Sequence, residues 1–457
     1  MANHSDPAPW TPRGAYRSYV LVLLTLGYVL SYADRNLIAI TQEKLRVEFH
    51  LADWELGLLG GVAFALLYAS VGIPIARLAE RRNRVAILSI SMTIWSVMTA
   101  FCGLATSVVM LLAGRVGVGI GEAGGSPSSH SIISNYFPKA RRTWALAVYS
   151  SGAPLGTILA ALAGGWLTHT YGWRFAFLGL GVPGVILAVL IRFTAREPAR
   201  EPVPAGEVAP KFSAALRYLS SLGTYRWVCA GIMSGSFLNA GLVQFTTSFY
   251  MRTHDFSLQQ ASLVFGFCEG LFAFFGALVG GAIADRGQAK TPRIEAWICA
   301  AAMFVCGALY IVTFHISNVW IGMGALLLAS FFRWTFVGPA YGMMHNVTPD
   351  RMRATALAIY LFCSSLAAGA GSLALGAVSD LFAKASLAGH GVTLALCDAG
   401  GTTPAVCAAA KADGLQLAMT VFSAGYVVCG VMFLRAARFM IEEYKTQAGG
   451  AADQPAV

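Results

Sequence analysis

The sequence predicts an all-α polytopic membrane protein with twelve transmembrane helices in two pseudo-symmetric six-helix halves. Composition is the first observation behind this. Of 457 residues, 56% are hydrophobic and 12% charged, against about 45–50% and about 25% in a soluble domain, and the mean hydropathy is +0.63. The second is the recurrence of apolar runs near the roughly 20 residues that cross a bilayer as a helix. The third is a local sequence repeat between the two halves. Together they exclude a soluble enzyme, a disordered chain and a small disulfide scaffold. The net charge of +10 sits in short clusters between apolar runs and not in a basic stripe interleaved with aromatics, so no nucleic-acid partner is expected.

The spans are read as 18–40, 53–76, 85–106, 109–135, 144–168, 173–195, 226–251, 258–284, 293–314, 318–342, 355–382 and 415–440. Charges bound them in order. Span 1 follows Arg17 and stops before Lys44 and Arg46. Spans 2 and 3 flank Arg77, Arg81, Arg82 and Arg84. Spans 4 and 5 flank Lys139, Arg141 and Arg142, and spans 5 and 6 flank Arg174. Span 7 stops at Arg252. Spans 8 and 9 flank Arg286, Lys290 and Arg293, and spans 10 and 11 flank Arg351 and Arg353. Spans 11 and 12 flank Lys384 and Lys411. With both termini cytoplasmic, 23 Lys/Arg lie inside, 6 outside and 3 within spans, the asymmetry of the positive-inside rule. The N-terminal half is 1–195. The stretch 196–225, rich in Pro and charge, reads as a cytoplasmic linker. The C-terminal half is 226–457, with an exterior loop over 383–414. Cys397 and Cys407 lie ten apart in that loop and can bridge if it faces an oxidising side. The N-terminus lacks a secretory cleavage signal, so the first apolar run is expected to stay in the protein.

The repeat has two pieces. Ala76-Arg77-Leu78-Ala79-Glu80-Arg81 matches Gly281-Ala282-Ile283-Ala284-Asp285-Arg286 at an offset of 205. Pro138-Lys139-Ala140-Arg141-Arg142-Thr143-Trp144-Ala145 matches Pro349-Asp350-Arg351-Met352-Arg353-Ala354-Thr355-Ala356 at an offset of 211. Two six-helix halves, a polar linker and this small-residue, Ala, acid, Arg turn resemble the major facilitator superfamily. The resemblance implies that Glu80, Arg81, Asp285 and Arg286 act as a conformational latch, with acids at helix ends and arginines paired across the half interface. The first-half copy departs from the family pattern at Ala76, Glu80 and Asn83.

Ionisable side chains inside a bilayer are costly and mark function. Here they are Asp34 and Arg35 in span 1, Arg115 and Glu122 in span 4, Glu269 in span 8 and Arg333 in span 10. At 1.5 Å per residue, Asp34 lies about 25 Å along span 1, Arg115 about 10 Å into span 4 and Glu122 about 20 Å. The offset of 211 maps Glu122 onto Arg333, predicting similar depth on opposite walls of a cavity. The charges sum to zero, so protonating one acid releases one Arg for an anion; the expected partners of the acids are Arg115 and Arg333. His130 reads as core more than as a proton relay. Gly117, Gly119 and Gly121 lack the preceding strand of a dinucleotide site and read as helix-packing positions. No metal motif appears, so no metal site and no cofactor beyond a coupling proton are expected.

Tyr32-Ala33-Asp34-Arg35, the run from Gly114-Arg115 to Gly121-Glu122-Ala123, Pro154-Leu155-Gly156 and Arg196-Glu197-Pro198 resemble the Spinster family, associated with sphingosine phosphate and lysophospholipid transport. The resemblance implies an amphipathic anionic lipid as substrate, which Arg35, Arg115, Arg333 and Glu269 are expected to meet. The charges within the spans point to a proton-coupled secondary transporter working by alternating access, with Asp34 and Glu122 as the candidate proton acceptors. Phe245, Phe249, Phe265, Phe272 and Phe275 are candidates for a tail path. The alternative is a proton-coupled carrier of small organic anions or drugs. No enzyme constellation or signalling domain is apparent. The expectation is a monomer among membrane lipids in a bacterial inner membrane.

Overall fold

The structure is a computed structural model. It describes residues 14–198, 212–288, 291, 293–349, 352–388, 392–393, 397 and 404–452. Among these, twelve helices are long and apolar enough to span a membrane: Gly14–Phe49, Asp53–Gly72, Arg84–Gly103, Val108–Tyr136, Trp144–Thr170, Trp173–Thr194, Gly223–Thr253, Leu258–Ala284, Ile294–His315, Val319–Val347, Thr355–Ala388 and Ala405–Lys445. They are numbered as spans 1 to 12. An even number of crossings puts both ends of the bundle on one face, the terminal face; the opposite one is the far face.

Three boundaries depart from expectation, and tertiary contacts explain each. Span 1 continues to Phe49 because its polar end is buried: Gln42 Nε2 donates to the Gln244 carbonyl (2.8 Å) and to Ser248 Oγ (2.6 Å). The expected loop over 383–414 is largely helix. Span 11 continues to Ala388, and the helix of span 12 begins at Pro404. Ala383, Leu387 and Ala410 pack together there, and Cys397 and Cys407 are joined in a disulfide. The expected linker over 196–225 contains a helix, Phe212–Ser221, which buries Ala215 and Leu219.

Several spans are interrupted. Span 4 breaks at Ala123–Gly124, directly after Glu122, into Val108–Glu122 and Gly125–Tyr136. Spans 2, 5 and 8 each widen into a π-helical turn, at Leu58–Val62, Ala160–Gly164 and Phe267–Phe272. Such turns recur at functional sites, and these three spans are ones by which the halves touch. Span 2 packs on span 11, and span 5 on span 8. The span 2–span 11 crossing is close because it is built from small residues. A Cβ on Gly61 would meet the Gly369 carbonyl, and one on Gly376 would meet that of Asp53. The glycine run in span 4 packs as expected: Gly119 faces the backbone of Phe64 and Gly121 that of Trp95.

Candidate functional site

Span 1 places Asp34 and Arg35 on successive positions, and span 4 brings Arg115 and Glu122 against them. Arg35 Nε donates to Glu122 Oε2 at 2.5 Å. Arg115 Nη1 lies 3.8 Å from Asp34 Oδ1, an ion pair too long for a hydrogen bond. Thr99 stands beside Asp34, yet its hydroxyl donates to the Trp95 carbonyl at 2.9 Å. Both Asp34 oxygens and Glu122 Oε1 are buried with no hydrogen-bond partner. A buried carboxylate left in this state is costly.

Arg35 differs from its neighbours in access. Its side chain is 24% exposed, whereas that of Glu122 is 1%. The guanidinium lies 5.2 Å from the ring centre of Tyr32 and 4.9 Å from those of Phe64 and Tyr68. Aromatic faces hold a cation by its attraction to the ring quadrupole, so Arg35 is presented in an apolar frame while its charge is answered by Glu122.

The second half holds a separate pair. Arg333 Nη2 donates to Glu269 Oε2, and Ser330 Oγ donates to Glu269 Oε1 at 3.2 Å. Arg333 is buried, lies 5.4 Å from the Trp334 ring centre, and neighbours Tyr310 and Tyr426, which stack on each other. Of the expected partners, Arg115 does stand against an acid, Asp34, and the rest are corrected. Glu122 pairs with Arg35, and Arg333 with Glu269 in its own half. Arg115 and Glu122, seven residues apart, are separated by about 10 Å of helix rise, and span 1 crosses so that each meets a different residue.

Other expectations meet mixed outcomes. His130 is exposed, with its ring edge-on to Tyr149 at 5.3 Å. Phe245, Phe249 and Phe265 are fully buried in packing, Phe272 is half-buried and Phe275 is exposed. The side chains of Glu80, Arg81 and Asp285 lie outside the described residues, and Arg286 is exposed.

A sequence profile of the Major Facilitator Superfamily matches residues 24–372. The chain belongs to that superfamily. Within it the chain is Spinster-like. A crystal structure described as a bacterial homolog of the human lysosomal transporter Spinster, inward-facing and unoccupied, superimposes with a TM-score of 0.86 at 31% identity, covering 94% of this chain and 99% of that one. An MFS-type efflux pump of Mycolicibacterium smegmatis is 30% identical over 81% of this chain and 85% of its own length. The sphingosine-1-phosphate transporter SPNS2 of Xenopus tropicalis is 27% identical over 80% of this chain and 74% of its own. The protein is thus a multi-pass membrane transporter of this superfamily.

In this Spinster-like transporter the far face is closed by a buried polar network that sequence reading missed. Arg252 of span 7 donates to both oxygens of Asp53 (2.7 and 2.8 Å) and to Glu43 Oε1 (2.8 Å). Glu43 also accepts from Arg46 at 2.9 Å. Ser379 Oγ donates to Asp53 Oδ2 at 2.7 Å, and the Asp380 carboxylate accepts from the backbone N–H groups of Asp53 and Trp54 at 3.1 and 2.9 Å. Arg252, Ser379 and Asp380 come from one half and Glu43 and Asp53 from the other. The signal available was the cluster of charge at the far ends of spans 1, 2 and 7, of which Glu43, Arg46 and Arg252 read as loop and Asp53 as the first residue of span 2. At the terminal face, Arg84 was missed too. It donates to Glu197 Oε1 (2.7 Å), the Pro198 carbonyl (2.8 Å), Ser131 (2.9 Å) and Asn135 (2.5 Å), and so docks the start of the linker against the first half.

Proposed function

We propose that the protein is a proton-coupled secondary transporter working by alternating access, whose substrate is an amphipathic anionic lipid of the lysophospholipid or sphingosine-phosphate class. The observation that carries this is Arg35: partly open, framed by Tyr32, Phe64 and Tyr68, and neutralised by a buried Glu122 with one unpartnered oxygen. A phosphate headgroup fits a guanidinium by charge-assisted, bidentate hydrogen bonds, and the aromatic frame suits the apolar region next to it. A proton on Glu122 removes the competing anion from Arg35. Asp34 beside Arg115 is the second proton acceptor. The likeness to a sphingosine-1-phosphate transporter supports the lipid.

The halves are joined at the far face, as expected of the inward-facing state of a rocking-halves carrier, and the bacterial Spinster homolog on which the chain superimposes is itself described as inward-facing. This reading takes the terminal face as cytoplasmic, from the 23 to 6 distribution of Lys/Arg, and the membrane as a bacterial inner membrane. The protein acts as a monomer, and its coupling ion is the proton.

The second reading is a proton-coupled carrier of small organic anions or drugs, favoured by the likeness to an efflux pump. Flux of a labelled lysophospholipid into proteoliposomes, with and without an imposed pH gradient, decides between them, with Arg35→Ala as control. Gradient-driven flux that Arg35→Ala abolishes is the expected result. Flux indifferent to the gradient overturns proton coupling. No flux of any lysolipid overturns the lipid assignment and leaves the small-anion carrier.

A further inference from the structure

A small cavity lined by first-half residues adjoins Glu122. It holds about 10 Å³ and is lined by Tyr28, Ser31, Trp95, Ser126, Ser129 and Tyr149, with Glu122 at one end. That is near the lower limit for one water, which needs two to four polar partners. The lining supplies them. Glu122 Oε1 is buried and without a hydrogen-bond partner, and Tyr149, Ser126 and Ser129 line the same cavity beside it.

The same residues form a stripe. Ser126, Ser129 and His130 are spaced three and four apart in the inner helix of span 4 and share one of its faces, while Glu122 ends the outer helix directly before the break. The stripe runs toward the terminal face. The inner half of span 4 begins afresh at Gly125, directly below Glu122. The stripe ends at His130, which is exposed and stands edge-on to Tyr149. Tyr28 stacks on the other face of this group, 4.5 Å from Tyr149.

We propose that Glu122, one water in this cavity, Tyr149 with Ser126 and Ser129, and His130 form a proton relay to the terminal face. The inference rests on the reading of Glu122 as the coupling acid. The Glu122 carboxyl gives its proton to the water. Each hydroxyl accepts one proton and passes on its own, so all return neutral. His130 takes the last proton and releases it to solvent, leaving Glu122 as a carboxylate paired with Arg35. The other charged or titratable groups facing Glu122 are Arg35 and Asp34 from span 1 and Arg115 from span 4. Tyr68 of span 2 faces Arg35. Span 3 contributes Leu88, Met92 and Trp95 to the cavity, none of them titratable.

The test needs no substrate. The full-length protein is subjected to a pH jump, and its protonated-carboxyl infrared band is followed in time. Glu122→Gln identifies the Glu122 band. Tyr149→Phe keeps the ring stacking and removes the hydroxyl, and His130→Ala removes the exit. Each is expected to slow the rise of the band by about tenfold, and added imidazole is expected to restore the rate in His130→Ala. Thermal stability of each variant separates this from misfolding. A band that rises at the wild-type rate in both variants overturns the relay while leaving Glu122 as the coupling acid. Failure of Glu122→Gln to remove any band overturns the reading of Glu122 itself, and the relay with it. Slowing in His130→Ala that imidazole does not relieve removes His130 from the path.

Discussion

Replacing Arg252 by Met tests what holds the far face shut. Arg252 is the one cation in contact with both Glu43 and Asp53, donating to three of their four carboxylate oxygens. Removing one partner of a buried ion pair costs about 3–5 kcal/mol, chiefly because a charge is stranded. Here the lower figure applies, since Glu43 keeps Arg46 and Asp53 keeps Ser379. When the far face opens, all these groups are hydrated, so the loss falls on the closed state alone. A loss of about 3 kcal/mol moves the closed-to-open ratio about a hundredfold. Spin labels at the exposed positions Val47 and Leu381, near the far ends of spans 1 and 11, report the change by pulsed dipolar distance measurement. The wild type is expected to give one short distance, and Arg252→Met a second, longer population that dominates. Adding Glu43→Gln and Asp53→Asn is expected to recover closure, because replacing both sides of a buried pair is nearly neutral. An unchanged distance distribution in Arg252→Met refutes the reasoning and assigns closure to the glycine crossing of spans 2 and 11.

Gly61→Leu tests that crossing directly. Its side chain meets the Gly369 backbone, and overpacking of about 1–3 kcal/mol is expected to lengthen the same spin-label distance. Glu269→Gln strands the buried Arg333 and is expected to lower the thermal transition markedly, by about 3–5 kcal/mol of stability. The double variant Glu269→Met with Arg333→Met recovers most of it, as thermal unfolding in detergent will show. Under the proposed coupling, Glu122→Gln frees Arg35 from a charge-assisted contact of about 1.5–3 kcal/mol. Binding of a lysophospholipid is then expected to be tight and pH-independent in this variant, while wild-type binding weakens as pH rises. A variant with the wild-type pH profile places the titrating group elsewhere.

Hydropathy made the twelve spans legible because a lipid-exposed helix must be apolar along its length. It failed where polar residues are satisfied by another part of the chain. Gln42 and Glu43 look like loop because their partners, Gln244, Ser248 and Arg252, lie about two hundred residues away. The charges in the middle of spans 1, 4, 8 and 10 were equally legible as a set, since they stand out within apolar runs, whereas the buried charges at span ends, such as Glu43 and Arg252, were not. The pairing of the mid-span charges was not legible either. Which Arg meets Glu122 depends on the rotation and crossing of span 1 against span 4, and a one-dimensional repeat carries no such information. The offset that aligns Glu122 with Arg333 correctly marks both as buried charges in broken helices. It leaves open that each is answered by an acid or base from its own half.

That local pairing bears on how the two halves share the work. Each half neutralises its own charge, so neither carries an uncompensated ion as the halves rock, and the membrane-embedded charges need not be exchanged across the moving interface. The cross-half contacts that must break lie instead at the far face, around Arg252, and along the small-residue crossings of spans 2 with 11 and 5 with 8. Access then distinguishes the halves. Arg333 is 4% exposed and Arg35 24%, so in the proposed cycle an anion meets Arg35 first, and must displace Glu122 or find it protonated. By linkage, an anion on Arg35 and a proton on Glu122 favour one another. A single contact, between Arg35 and Glu122, is therefore sufficient to tie substrate to proton in the proposed cycle, with the second half supplying a wall that stays closed to both.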